Sequence, residues 1–178
     1  LFEFHFVGSY SIIIQVLSEI EKGENMIKGL EQHISDKFDV QFKNNQLLYV
    51  AFTHSSYAND HRETELEHLE RLEFLGDAVI ELIVSDYLYK KYPDLPEGKL
   101  TKMRATSVRA ETLSELAVES GLPKYILLGR GEEQSNGRER ISLLCDVFEA
   151  FIGAIYLDQG FEVARGILSK VLFPKIST

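Results

Sequence analysis

The run Glu70-Arg71-Leu72-Glu73-Phe74-Leu75-Gly76-Asp77-Ala78 constrains the fold of this chain more than any other segment. Its three acids fall at i, i+3 and i+7, a spacing that puts them on one face of an α-helix. Leu72, Phe74, Leu75, Ala78 and Val79 fill much of the remainder, so the acidic stripe lies against apolar neighbours. Like charges along a helix repel, and partial burial strengthens the repulsion. Such a stripe persists where a hard cation neutralises it. A second apolar helical run carries Asp146-Val147-Phe148-Glu149-Ala150, with acids at i and i+3. Two helices that each present an acid pair can cage Mg²⁺ with oxygen ligands.

Helical periodicity dominates from Met26 onward. Ile27, Leu30, Ile34 and Phe38 predict a first helix ending near Asp39, and Leu47, Leu48, Val50, Ala51 and Phe52 a short second one. Residues 53–60 read as a polar connection. A long helix is expected from about Glu65 to Tyr92, stopped by Pro93 and Pro96. Leu100 to Ser107 and Ala110 to Ser120 read as two more helices, with Gly121 and Pro123 as the stop. Residues 129–137 read as a glycine-bearing loop. Apolar helices then cover Ile141 to Leu157 and Phe161 to Leu172. No convincing period-2 run occurs, so the predicted class is all-α.

One cysteine, Cys145, rules out an internal disulfide framework and a cysteine-based zinc site, and fits a reducing cytoplasm. The apolar patch at Ile12-Ile13-Ile14 is far short of the ~20 apolar residues that span a membrane, and it lacks the flanks of a signal peptide. Residues 1–25 differ in character from the rest. Either Met26 is the start and they are translated upstream sequence or a cloning remnant, or they form a real amphipathic helix. Residues 26–178 are expected to make one domain. The net charge of −9 taken alone disfavours a nucleic-acid binder, because phosphate affinity comes from Lys and Arg.

Several residue groups carry candidate chemistry, each with a plainer alternative. Glu73, Asp77, Asp146 and Glu149 form a four-carboxylate Mg²⁺ site, or else solvated faces paired with Arg71, Lys90 or Arg140. Glu70 shares the face of Glu73 and Asp77 and would orient water at the cation, or is a surface acid. Glu97 would cap the next helix or add to the acidic cleft. The stripe with Lys99, Lys102, Arg104 and Arg109 would track a phosphate backbone, or is a solvated helix face. Arg130, Arg138 and Arg140 flank the glycine-bearing loop, which lacks P-loop spacing and is expected to be flexible surface. His54 is expected to hydrogen-bond rather than catalyse, and Cys145 to be a small core residue.

The run from Glu70 to Ala78 resembles the signature of the ribonuclease III family. Ala51-Phe52-Thr53-His54-Ser55-Ser56-Tyr57, Pro96-Glu97-Gly98-Lys99-Leu100, Leu128-Gly129-Arg130-Gly131-Glu132 and the run from Asp146 to Asp158 resemble further family segments, in order. The resemblance covers about residues 28–172. It implies a helical nuclease domain that forms a two-fold homodimer around A-form duplex RNA. Glu73, Asp77, Asp146 and Glu149 would bind Mg²⁺, with Mn²⁺ as a substitute, and Asp77 and Glu149 would be the catalytic pair. Glu70 would sit near the cleft, Glu97 would face the substrate groove, and Phe74 would insert into the partner subunit. Leu69 and Asn136 depart from the pattern, where Asn and Gly are common, but neither is a presumed ligand.

The implied activity is Mg²⁺-dependent hydrolysis of double-stranded RNA to 5′-phosphate and 3′-hydroxyl products with short 3′ overhangs, in processing of ribosomal and messenger RNA precursors in the cytoplasm. Bacterial members usually carry a basic double-stranded-RNA-binding domain after the nuclease domain. The expectation is that such a domain supplies much of the phosphate contact, which reconciles the acidic charge with an RNA substrate. Two rivals stand beside this reading: a catalytically silent RNA-binding relative, and an all-α Mg²⁺ nucleotide pyrophosphohydrolase.

Overall fold

The computed structural model describes residues 25–62 and 66–176. The questions raised about residues 1–24 lie outside the described residues. Two compact units divide the chain, residues 1–41 and 42–178. In the first, residues 25–38 are helical (α1) and bury Leu30, Ile34 and Phe38 at the expected spacing. Asp39 adopts a left-handed φ of 60° and its N–H returns to Ser35 O at 2.9 Å, which ends the helix as anticipated.

The second unit holds α2 (Asn45–Ala51), α3 (Ser55–Asp60), α4 (Glu70–Lys91), α5 (Glu97–Ser107), α6 (Ala110–Glu119), α7 (Arg130–Gln134), α8 (Ile141–Gln159) and α9 (Phe161–Val171). Among the described residues the only β-type pairing is one isolated parallel bridge, Thr53 with Leu127, so the all-α expectation holds. No helix among these residues is long and apolar enough to cross a membrane.

Helix α8 is the axis of the unit. Val147, Phe148, Ala150, Phe151, Ile152, Ala154 and Ile155 are fully enclosed, which is why its sequence is apolar nearly all round. Phe52 meets Phe151 edge to face at 6.2 Å between centroids. Helix α4 lies along α8 and buries Leu72, Gly76, Val79, Ile80, Ile83 and Leu88, a stripe at three- and four-residue steps. Its first turn holds Glu70 and Glu73 and its last turn Lys90 and Lys91, each complementing the helix dipole. The opposite face of α4 leaves Phe74 81%, Leu82 59% and Tyr89 74% exposed.

Four local readings of the sequence need correction. The polar connection at 53–60 is largely helical, because His54 caps α3 through Nδ1 on the Ser56 N–H. Helix α4 starts at Glu70 and not near 65: residues 66–68 are not helical, and the Leu69 N–H is held by Thr53 O at 2.9 Å. Helix α5 starts at Glu97, three residues early, with Pro96 in the extended conformation that precedes a helix. The glycine-bearing loop is ordered. It contains α7 and a 3₁₀ turn at Gly137–Glu139, joined by Asn136 at a left-handed φ of 56°. Arg138 pins this loop by donating to Pro123 O at 2.6 Å and Ile126 O at 2.9 Å.

Candidate metal centre

The position of the acids follows from how closely α4 and α8 approach. A Cβ on Gly76 would collide with the backbone carbonyl of Glu149, and one on Gly153 with the carbonyl of Leu72. The two helices therefore meet backbone to backbone, which only glycine permits at these points. Glu73 and Asp77 flank Gly76 on one side of the seam. Asp146 and Glu149 stand across it, since Glu149 itself supplies the carbonyl against Gly76.

The acids act on one another electrostatically across the seam. Burial raises the Glu149 carboxyl from an ordinary 4.5 to about 7, and Asp77, Asp146 and Glu73 push it the same way. The Glu73 carboxyl is also raised, by burial first and then by Asp146, Glu70 and Asp77. Asp146 is raised by burial and by Glu70, against the pull of His54 and Arg140. Three half-buried carboxylates, Glu73, Asp146 and Glu149, thus stand close to one another, with Asp77 and Glu70 exposed beside them. Ionising them together is unfavourable unless a cation enters. Ligand atoms of Cys145, Asp146 and Glu149 lie within 4.8 Å of one another. Glu73 and Asp77 act on Glu149 electrostatically from α4. The carboxylate oxygens of Asp146 and Glu149 suit a hard divalent cation, with the neutral Cys145 thiol beside them and the α4 acids across the seam.

Cys145 is buried as expected, and it also has a neighbour that the sequence does not reveal. Its thiol lies 3.5 Å from Glu149 Oε1, one helical turn on. Burial and that carboxylate hold the thiol far above its ordinary range, so it remains a neutral donor.

Other sequence candidates are less closely gathered. Glu70 is exposed, at the edge of the cluster, with His68 Nδ1 at 3.9 Å from its carboxylate. Glu97 is exposed on α5, accepts the Thr101 hydroxyl at 2.6 Å, and is not among the groups that shift Glu73, Asp146 and Glu149. Lys99 and Lys102 are exposed beside a groove of about 630 Å³ whose lining includes Met103, Arg109, Leu172 and Lys175, and none of the clustered acids. Arg104 is tied to α4 through Ser85 Oγ at 3.1 Å. Arg130 is exposed, its backbone N–H held by Asp60 at 2.8 Å.

Arg140 is the cation that sequence reasoning undervalued. The ordered 129–140 segment carries it to the rim, where it pairs with Glu132 and acts on both Asp146 and His54. Gly137 makes room for the Glu132 side chain, because a Cβ there would strike it. The signal was present as Gly137 followed closely by Arg140, but the pairing depends on a fold-back that spacing does not encode.

A family profile described as Ribonuclease-III-like matches residues 44–176, which include every residue of the centre. A curated protein named Ribonuclease 3 from Enterococcus faecalis is 57% identical over 151 residues, covering 85% of this chain and 66% of that protein. The Ribonuclease 3 of Pediococcus pentosaceus is 53% identical over the same length, covering 65% of that protein. The chain thus spans just under two thirds of the length of these relatives. The crystal structure of the nuclease domain of ribonuclease III from Campylobacter jejuni matches with a TM-score of 0.74 and 36% identity, over 83% of this chain and 96% of that one. A second structure of that domain, described by flexibility in its dimer-forming region, matches at 0.73 and 38%, over 80% and 97%. With the profile spanning most of the chain and the acids gathered on its two central helices, this chain belongs to the ribonuclease-III-like family.

Proposed function

We propose that this chain is a double-stranded-RNA endonuclease whose four carboxylates, Glu73, Asp77, Asp146 and Glu149, hold Mg²⁺ or Mn²⁺ for phosphodiester hydrolysis. The observation that carries the reading is the shared, half-buried acid cluster in which Glu149 is lifted to about 7. A bound divalent cation supplies Lewis acidity for water activation and neutralises charge on phosphoryl oxygens. Asp77 and Glu149 are the pair assigned to the reacting centre. Glu70 lies at the entrance, where it would orient incoming water. Arg140 offers positive charge at the rim beside Asp146, where a phosphate would approach.

The substrate would be A-form duplex, read by shape and 2′-hydroxyl contacts more than by base sequence. The products would be 5′-phosphates and 3′-hydroxyls with short 3′ overhangs, in maturation of ribosomal and messenger RNA in the cytoplasm. Two subunits would each cut one strand. The exposed Phe74, Leu82 and Tyr89 face of α4 supports a homodimer, since an apolar patch rimmed by polar residues marks an interface. A nucleotide pyrophosphohydrolase belongs to a different family from the one matched here.

The test is cleavage of a long duplex RNA at low salt with Mg²⁺ or with chelator, beside single-stranded RNA and a nucleoside triphosphate. Metal-dependent shortening of the duplex alone is expected. Triphosphate hydrolysis without RNA cleavage would overturn the reading. An inert chain, even at high concentration with Mn²⁺, would mark it as a silent relative.

A further inference from the structure

The side chain of His54 does more than a helix cap requires. Its Nδ1 accepts the Ser56 N–H at 3.2 Å and lies 2.8 Å from Ser56 Oγ. That hydroxyl already accepts the Gly129 N–H at 2.9 Å, so its single proton is left to point at Nδ1. Two donors on one nitrogen make Nδ1 the acceptor, and a neutral imidazole then carries its proton on Nε2. Burial lowers the ring's basicity despite Glu132, Asp146 and Glu70, and Arg140 adds to the lowering, so the neutral form prevails. Among the described residues the ring's hydrogen bonds are both made by Nδ1, and none by Nε2.

The surroundings give that free donor a destination. The chain neighbour of His54, Thr53, holds the Leu69 N–H at 2.9 Å, just ahead of Glu70 on α4, and the charges of Asp146, Glu70, Glu132 and Arg140 act on the ring, so His54 stands beside the carboxylate centre. The Ser56 hydroxyl and the His54 backbone, whose N–H reaches Leu127 O at 3.0 Å, hold the ring in place. Capping alone is done better by Asn, Asp or Ser. Histidine makes the same cap and also presents a fixed, uncharged donor beside the site where phosphate must dock.

Building on the nuclease reading, we propose that His54 contacts the substrate: its Nε2–H donates to a non-bridging oxygen of the RNA phosphodiester at the carboxylate centre. Two substitutions separate this from capping. His54→Asn puts Oδ1 where Nδ1 stands and keeps the cap, but removes the outer donor. His54→Gln places an amide N–H near the Nε2 position and loses the cap. The expected result is that His54→Asn folds with an unchanged melting temperature and binds Mn²⁺ as the wild type does, yet cleaves duplex RNA about 10- to 100-fold more slowly, the scale of losing one preorganised donor. His54→Gln should melt lower yet cleave faster than His54→Asn. A structural role predicts the opposite order, and a His54→Asn chain cleaving at the wild-type rate would overturn the proposal.

A second readout does not depend on turnover. Long-range ¹H–¹⁵N spectra of the histidine rings should show the Nε2–H tautomer at rest, and a shifted Nε2 when duplex RNA is added with Ca²⁺. A resting Nδ1–H tautomer, or no shift on RNA binding, refutes the contact. If the wild type binds and shifts Nε2 but never cleaves, the contact stands and the hydrolase reading fails. If it neither cleaves nor shifts, both fail.

Discussion

Helix α4 and helix α5 are neighbours and opposites. Helix α4 lies backbone to backbone on α8, and along that seam burial and mutual repulsion raise one acid of α4, Glu73, and two of α8, Asp146 and Glu149. Helix α5 buries only Ser107 and displays Lys99 and Lys102 to solvent. A charge kept in half-buried space among like charges is unfavourable, so its persistence needs an explanation, and a cation supplies one. A lysine on a solvated face costs almost nothing and explains nothing by itself. The burden a charge places on the fold is what distinguishes a site from a surface.

Closing the seam against glycine is the most severe way to break the contrast. Gly76→Ala forces α4 away from the Glu149 carbonyl, which cannot yield as a side-chain tip would. A loss of about 3 kcal/mol or more is expected, read by urea denaturation, together with loss of the carboxylate cluster. Gly98→Ala is the matched control on α5, where an added Cβ meets nothing within 4 Å. That change should leave stability equal or up to about 1 kcal/mol higher. Equal effects from both substitutions would remove the distinction between the helices.

Acidity gives the next largest effect. In the cation-free chain Glu149 binds a proton up to about pH 7, whereas an unfolded glutamate releases it near 4.5. The folded state therefore holds more protons between these values, and that contribution to stability, full below 4.5, is lost as pH rises through 7. Glu73 and Asp146 act in the same direction. The melting temperature in chelator should fall between pH 5 and pH 8. Saturating Mg²⁺ or Mn²⁺ should restore about 5 °C at pH 8 and little at pH 5. Glu149→Gln should flatten this profile and abolish cleavage while leaving fold and dimer intact. A variant that kept the wild-type pH profile would place the charge strain elsewhere.

What could be read from the chain beforehand follows the same division. Helices α4 and α8 were legible because apolar residues recur along them at helical steps, and their acids were legible because they interrupt those steps. Helix α3 was not, since its six residues, mostly polar, show no apolar period and depend on the His54 cap and on Gly129 and Arg130 amides arriving from far along the chain. The true start of α4 depends on Thr53 O, again distant in sequence. Gly76 and Gly153 let α4 and α8 approach backbone to backbone, a closeness that residue spacing along the chain does not reveal. Glu97, read as either a cap of the next helix or a part of the acidic cleft, stands in the first turn of α5 and accepts the Thr101 hydroxyl.

The outer face of α4 offers a third, smaller test. Phe74 is 81% exposed, so Phe74→Ala should change monomer stability by less than about 0.5 kcal/mol. If that face joins two copies, the same change should weaken dimerisation by tenfold or more, as expected for an aromatic anchor. Sedimentation at low concentration reads this directly, and an unchanged dimer would move the interface off α4.

The smallest effect belongs to α5, where it is also the most diagnostic. Lys99 and Lys102, expected from the sequence to track a phosphate backbone, line a groove whose wall includes Met103 and Leu172 and none of the clustered acids. If each lysine meets one phosphate, its change to Ala should lower the slope of log affinity against log salt by about 0.7 to 0.9, with no change in sequence preference and none in stability. Binding measured with Ca²⁺ keeps the duplex intact. Arg104→Ala should differ from both, because losing its bond to Ser85 loosens α5 from α4 and lowers the melting temperature by a degree or two, about 0.5 kcal/mol. An unchanged salt slope in both lysine variants would take α5 off the RNA path and leave the rim cation Arg140, paired with Glu132 beside Asp146, as the remaining charge for the phosphate.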